Sequence, residues 1–204
     1  MLLGWSVAAD RDIAPREELI ERFDIADIKK SPSAFDYNKL EYLNGWYLRQ
    51  LPLERLAELV EPYLAEAALP TERARLLEVL PLVQERMKLL SEAPELLDFF
   101  LADAPLPSAA LLIPKKMDAP ATAAALRAAA EALREADWSH EGLEGALRGR
   151  AEREGLKAGQ LFQPIRVAVT GRRESPGLFE TLFLVGRERS LERVERAISL
   201  LDGA

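Results

Sequence analysis

Apolar residues return at three- and four-residue spacing along nearly the whole chain, and that periodicity restricts it to helices. Leu53, Leu56, Leu59, Val60, Tyr63 and Leu64 show it in one run; Leu76, Leu77, Leu80, Val83 and Met87 show it in the next. Leu191, Val194, Ile198 and Leu201 repeat it near the end. Each set is expected to face inward. Helix formers dominate, and β-branched residues are sparse outside a few runs. VAVT at 167–170 would suggest a strand by itself, but its context predicts a helix from Lys157 to Thr170, through Pro164. The fold class expected is all-α.

Punctuation residues divide the helices. A short helix is expected over Arg16 to Phe23, with Leu19, Ile20 and Phe23 on one face. Asp36 is placed to cap a second, ending near Gln50. Pro52 starts a third, where its missing N–H costs little. Pro70-Thr71 opens a fourth, which Pro81 should kink or split. Residues 102–120 hold Pro105, Pro107, Pro114 and Pro120 with little periodicity, and read as a connector. Helices follow over Thr122 to Ala136 and over Ser139 to Gly155, the latter with a serine cap and a glycine stop. Gly171 to Gly177 reads as a loop, Leu178 to Val185 as a short apolar segment and Arg187 to Leu201 as an amphipathic closing helix. Three modules result, over 1–50, 51–105 and 106–204.

Composition removes several classes of chemistry. The 204 residues include no cysteine and one histidine, His140. A disulfide scaffold, a thiolate metal site and a histidine-based triad are therefore excluded or remote. No phosphate loop, dinucleotide loop or HExxH occurs. No apolar run approaches the ~20 residues needed to span a bilayer. The start MLLGWS has no basic region before an apolar one, so residence in the cytoplasm is expected. The formal net charge of −7 argues against nucleic acid. The acid excess lies in 1–144, however, and 145–204 carry more basic than acidic side chains. Binding depends on local charge, so the basic third can hold phosphate or be a solvated helix surface.

Two stretches carry unusual chemistry. Residues 31–49, SPSAFDYNKLEYLNGWYLR, collect amides, cations and aromatics that an RNA backbone and its 2′-hydroxyls can use, or that a core can bury. Residues 161–189 place Arg166 on a helix ahead of the loop Gly171-Arg172-Arg173-Glu174-Ser175-Pro176-Gly177, which enters Leu178-Phe179. Backbone N–H groups, an apolar platform and guanidinium groups at a helix start suit an unstacked base or an anion. A tight interhelical turn fringed with arginine is the other reading.

Together these stretches resemble bacterial glutamyl-tRNA synthetase. LLGWS at 2–6, REELIERFD at 16–24, SPSAFDYNKLEYLNGWYLR at 31–49, LFQPIRVAVTG at 161–171 and SPGLFETLFLVGRERSLERVERAI at 175–198 occur in family order and spacing. The resemblance implies an elongated array of helical bundles: a stem-contact region, then two helical anticodon-binding modules. It implies a monomer whose partner is tRNA(Glu). The family's HIGH and KMSKS-type signatures do not occur, so the resemblance implies a chain that does not itself form glutamyl-adenylate. ATP, glutamate and Mg²⁺ would belong to the catalytic domain, and no cofactor or metal is expected in these residues.

Roles follow from the resemblance by matched position. Lys39, Asn44 and Arg49 would touch the tRNA stem. Arg166, from the QPxR helix, would meet the first anticodon base. Ser175, Pro176, Leu178 and Phe179 would pack on and hydrogen-bond the first two. Ser175 stands where the family has threonine, keeping the hydroxyl and losing the methyl. Arg86 maps onto an arginine that favours a third-base C over the larger G, and so disfavours glutamine tRNA; a solvated helix charge is the other reading of it. A helical protein–protein adaptor, or a free-standing tRNA-binding module, is the alternative function.

Overall fold

The computed structural model describes residues 4–7, 11, 13–29 and 35–203. Residues 2–3 and 31–34 of the family-like stretches lie outside them. The described residues form α1 Arg16–Arg22, α2 Tyr37–Gln50, α3 Leu53–Glu66, α4 Arg73–Gln84, α5 Ala93–Leu101 and α6 Ala109–Leu112. They continue as α7 Ala119–Glu135, α8 His140–Arg153, α9 Ala158–Thr170, α10 Leu178–Val185 and α11 Arg187–Asp202. The fold is all-α.

Local signals explain most boundaries. The Asp36 carboxylate accepts the Lys39 N–H at 3.1 Å and starts α2. The Ser139 hydroxyl does the same for α8 through Gly142, at 3.1 Å. The C-terminus of α8 closes on Gly155 at φ 64°, with Leu156 donating to Ala151 at 2.8 Å and Gly155 to Glu152 at 3.1 Å. That is the crossed pair of hydrogen bonds a left-handed glycine makes possible.

Three expectations change. Pro81 does not split α4, which runs on to Gln84. Pro81 stands on the exposed side near the helix end, so it forfeits little, while Val79, Leu80 and Val83 hold the run in the core. Tyr63 is 36% exposed instead of inward, because the buried face of α3 is Leu56, Ala57, Val60 and Leu64. The connector 102–120 is packed: it contains α6 and buries Ala104 and Leu112. α1 buries no residue, and Ile20 and Phe23 stay exposed.

One buried cluster extends from Leu48 to Leu201. α7 is its axis, packing against α8, α9 and α11. Its inner face is mostly alanine, with Leu126 and Leu133 fully buried. Small side chains let neighbouring helices approach, and each buried leucine adds about 1.5–3 kcal/mol. α3, α4 and α5 pack in sequence, and α10 touches both that unit and α8, α9 and α11. Arg75, in the first turn of α4, donates to the Leu184 carbonyl at the end of α10 at 2.5 Å.

Candidate nucleic-acid interface

The loop between α9 and α10 begins at Gly171, where φ is 76° and a Cβ would lie 3.2 Å from the Pro105 carbonyl oxygen. Both the backbone angle and the space there favour glycine. The loop ends at Gly177, where a Cβ would collide with the Glu180 carboxylate. Between them the chain is organised by Arg166. Its Nη1 donates to the Ser175 carbonyl at 3.2 Å, to the Ser175 hydroxyl and to the Pro176 carbonyl. Arg166 sits below its ordinary pKa, first because it is partly buried and then because the Arg86 cation is near; Glu180 opposes this.

Arg86 stands in the turn after α4, exposed; its N–H donates to the Val83 carbonyl at 3.0 Å, and its side chain makes no hydrogen bond or ion pair among the described residues. Two guanidinium groups from distant parts of the sequence thus lie near enough for the charge of one to be felt by the other. Such a like-charge approach is unfavourable unless an anion or an electron-rich edge joins it.

The apolar part of this region is aromatic. Phe179 is half-buried and meets Phe162 edge to face, with ring centres 5.6 Å apart. The Arg148 guanidinium lies 5.8 Å from the Phe162 ring centre and pairs with Glu144 at 2.6 Å. Leu178 is only 5% exposed and belongs to the core, so the surface it shares with a ligand is small. Ser175 and Pro176 are half-buried beside Arg166. Phe162 and Arg148 were not singled out in the sequence. Phe162 stands four residues before Arg166, which puts both on one side of α9, and that spacing was the available signal.

The structure thus joins Arg166, Ser175 and Pro176, with Phe179 paired to Phe162 and Arg86 close enough to perturb Arg166. The α2 residues behave differently. Asn44 donates its amide to the Lys88 carbonyl, and the Arg49 Nε lies 4.0 Å from Glu85. Both turn toward the Arg86 turn. The Lys39 backbone is part of the α2 cap, and its side chain is half-buried.

The described residues contain no group of three or more His, Asp or Glu side chains arranged for a metal. No helix among them is long and apolar enough to cross a membrane. His140 lies 3.9 Å from Glu180 and edge-on to Phe183, an ordinary surface contact. What the region offers is cationic forks, a hydroxyl and aromatic surface, the set that grips unpaired bases.

Comparison with known proteins agrees. The family described as "Anticodon binding domain" matches residues 55–198. The chain is 49% identical to a glutamate–tRNA ligase of Roseiflexus sp. (strain RS-1), matching 98% of this chain and 41% of that protein. A glutamate–tRNA ligase of Chloroflexus aurantiacus is 47% identical, over 98% of this chain and 42% of its own length. The chain therefore spans well under half of the relatives it matches. The crystal structure of a glutamate tRNA ligase from Elizabethkingia meningosepticum, in complex with its amino acid, superposes with a TM-score of 0.82 at 25% identity. It is matched over 98% of this chain and 39% of its own. The chain belongs to the anticodon binding domain family.

Proposed function

We propose that the chain binds tRNA(Glu) and reads its anticodon, as the tRNA-recognising part of a glutamate–tRNA ligase. The observation that carries this is the Arg166 fork on the Ser175-Pro176 turn, with the Phe179–Phe162 pair beyond the turn and the Arg86 charge near enough to perturb Arg166. Arg166 spends one Nη on the loop, leaving the rest of its fork for the first base. Ser175, Pro176 and Phe179 meet the first two bases, with Leu178 supporting them from the core. Arg86 meets the third base, where a pyrimidine fits and a purine is crowded. Lys39 faces the tRNA stem, together with whatever surface Asn44 and Arg49 leave free. The three modules 1–50, 51–105 and 106–204 divide this work. Glutamate activation with ATP and Mg²⁺ is assigned to a separate catalytic domain, and the monomeric, cytoplasmic state of the family is expected here.

The test is tRNA binding by the purified chain at low salt. Glutamate tRNA is compared with a variant whose third anticodon base is G, using wild type and Arg86→Ala. A base contact contributes about 1–3 kcal/mol, so wild type should prefer C by roughly 5- to 150-fold and Arg86→Ala should not. Equal binding of both RNAs by wild type would remove Arg86 as a reader. No binding of either at low salt would favour the protein–protein adaptor.

A further inference from the structure

The Arg86 side chain has no partner of its own to hold it among the described residues, so its position is set by the backbone of residues 85–89. That backbone is fastened from several directions. Met87 is fully buried beneath it. The Lys88 and Leu89 N–H groups donate to one oxygen of Glu92, at 2.7 and 3.1 Å. On the other side, α2 closes over it. The Asn44 amide donates to the Lys88 carbonyl. The Gln84 amide, just before the turn, donates to the Leu48 and Leu51 carbonyls at 2.9 Å each. Both carbonyls lie at the C-terminal end of α2, where Leu48 also takes the Leu51 N–H at 3.2 Å, so Gln84 caps one helix while anchoring the turn that follows another. The two backbones approach at Gly45, where a Cβ would lie 3.5 Å from both the Lys88 Cα and the Met87 carbonyl oxygen.

We infer that Asn44 and Gln84 are positioning residues for the third-base selectivity of Arg86, acting by clasping its turn to α2. The inference rests on the proposed reading role of Arg86. Rejecting a purine by crowding requires an obstacle that does not retreat. An arginine on a loose turn swings aside and accepts either base; the same arginine on a fixed turn does not. Recognition groups must be held within about 0.5 Å to discriminate, and here the holding is done by two amides that need not touch RNA. Third-base selectivity therefore depends on a helix from a different module.

The experiment measures dissociation constants of the full chain for three RNAs: glutamate tRNA, its third-base G variant and a variant altered at the first anticodon base. Arg86→Ala, Asn44→Ala, Gln84→Met and Asn44→Gln are compared with wild type, with melting temperatures recorded for each. The expected result is that Asn44→Ala and Gln84→Met reduce the third-base preference by roughly 2- to 30-fold, the span of indirect couplings. The first-base preference should stay within about twofold, and Asn44→Gln, which keeps an amide donor, should recover part of the loss. If Arg86→Ala loses the third-base preference while Asn44→Ala and Gln84→Met keep it, the clasp is overturned and the reading of Arg86 stands. If Arg86→Ala keeps the preference, the reading falls and the clasp with it. If Asn44→Ala weakens all three RNAs equally, Asn44 is a direct RNA contact and the positioning role is overturned. Equal loss of both base preferences would show general loosening and overturn it as well.

Discussion

The end of α5 and the Arg166 loop are both arginine-rich, and they use arginine in opposite ways. At the end of α5 the last carbonyls have no helical partner, and three arginines from elsewhere supply them. Arg193 donates to Phe99 at 2.9 Å, Val169 at 2.7 Å and Ala102 at 2.8 Å. Arg189 reaches Phe100 at 3.2 Å and Ala102 at 2.5 Å, and Arg75 reaches Phe100 at 3.4 Å and Leu184 at 2.5 Å. Arg172 adds an ion pair to Asp98 at 2.6 Å on the flank of α5. Arg187 treats the end of α7 likewise, through Arg134 at 3.0 Å and Ala136 at 2.7 Å. In the other region Arg86 has no such acceptor among the described residues, and Arg166 engages one Nη.

The basic excess of 145–204 thus mixes two populations. Some arginines join helices distant in sequence, and their guanidinium groups are consumed by carbonyls. Arg166, by contrast, uses only Nη1 in the hydrogen bonds it makes. Charge patterning cannot separate them, because the distinction lies in which acceptors surround each fork. The acidic total is no obstacle to RNA binding for the same reason: attraction is local and screened beyond about 10 Å.

The largest effect that would break this contrast is at Arg193. It is 3% exposed, and burial, then Arg189, lower its pKa to about 10, so it remains charged near neutrality. Arg193→Leu strands the Phe99 and Val169 carbonyls, while Ala102 keeps Arg189, and each unsatisfied buried group costs about 1–3 kcal/mol. The variant should lose at least ~2 kcal/mol, lowering the melting temperature by roughly 4–8 °C or more in circular dichroism. Arg86→Ala should change stability by less than ~0.5 kcal/mol. A melting temperature for Arg193→Leu close to wild type would end the distinction.

Arg166 combines both uses and should show a mixed effect. Arg166→Ala should weaken tRNA binding by roughly 1–3 kcal/mol and also destabilise the chain, because Ser175 and Pro176 lose their donor. Arg166→Lys should restore little binding, since an ammonium lacks the planar fork. Binding isotherms beside melting curves separate the two parts.

Phe179→Ala sharpens the comparison on the apolar side. A stacked base is worth about 1–3 kcal/mol, so binding should fall while the loop arginine contacts persist. Loss of the Phe162 contact should cost some stability as well. The smallest effect is in salt dependence. Each phosphate neutralised on a single strand adds roughly 0.7 to the logarithmic slope. If Arg86 also meets a phosphate, Arg86→Ala should flatten the slope by about that much, whereas a variant at Arg189 that still folds should leave it unchanged.

Much of the architecture was legible because helix signals are local. Asp36, Ser139, Gly155 and Gly171 act within a few residues of themselves, and each marks the boundary expected from it. Arg166 and Ser175 lie nine positions apart and were readable as one loop system. Pro81 misled because its effect depends on which side of α4 is buried. The connector misled because proline-rich sequence does not say whether it packs. Tyr63 misled because apolar spacing gives a face, while the neighbours decide where that face ends.

By itself the sequence determined an all-helical chain, most of its helix boundaries and the residues of the Arg166 loop. These depend on periodicity, caps and backbone angles, which involve neighbours along the chain. Only the tertiary structure decided that Arg193 is buried, that Arg86 stands near Arg166 and that Asn44 and Gln84 bind the turn between them. Those facts join residues tens of positions apart. A guanidinium or an amide carries no local sign of which distant carbonyl will take its hydrogen.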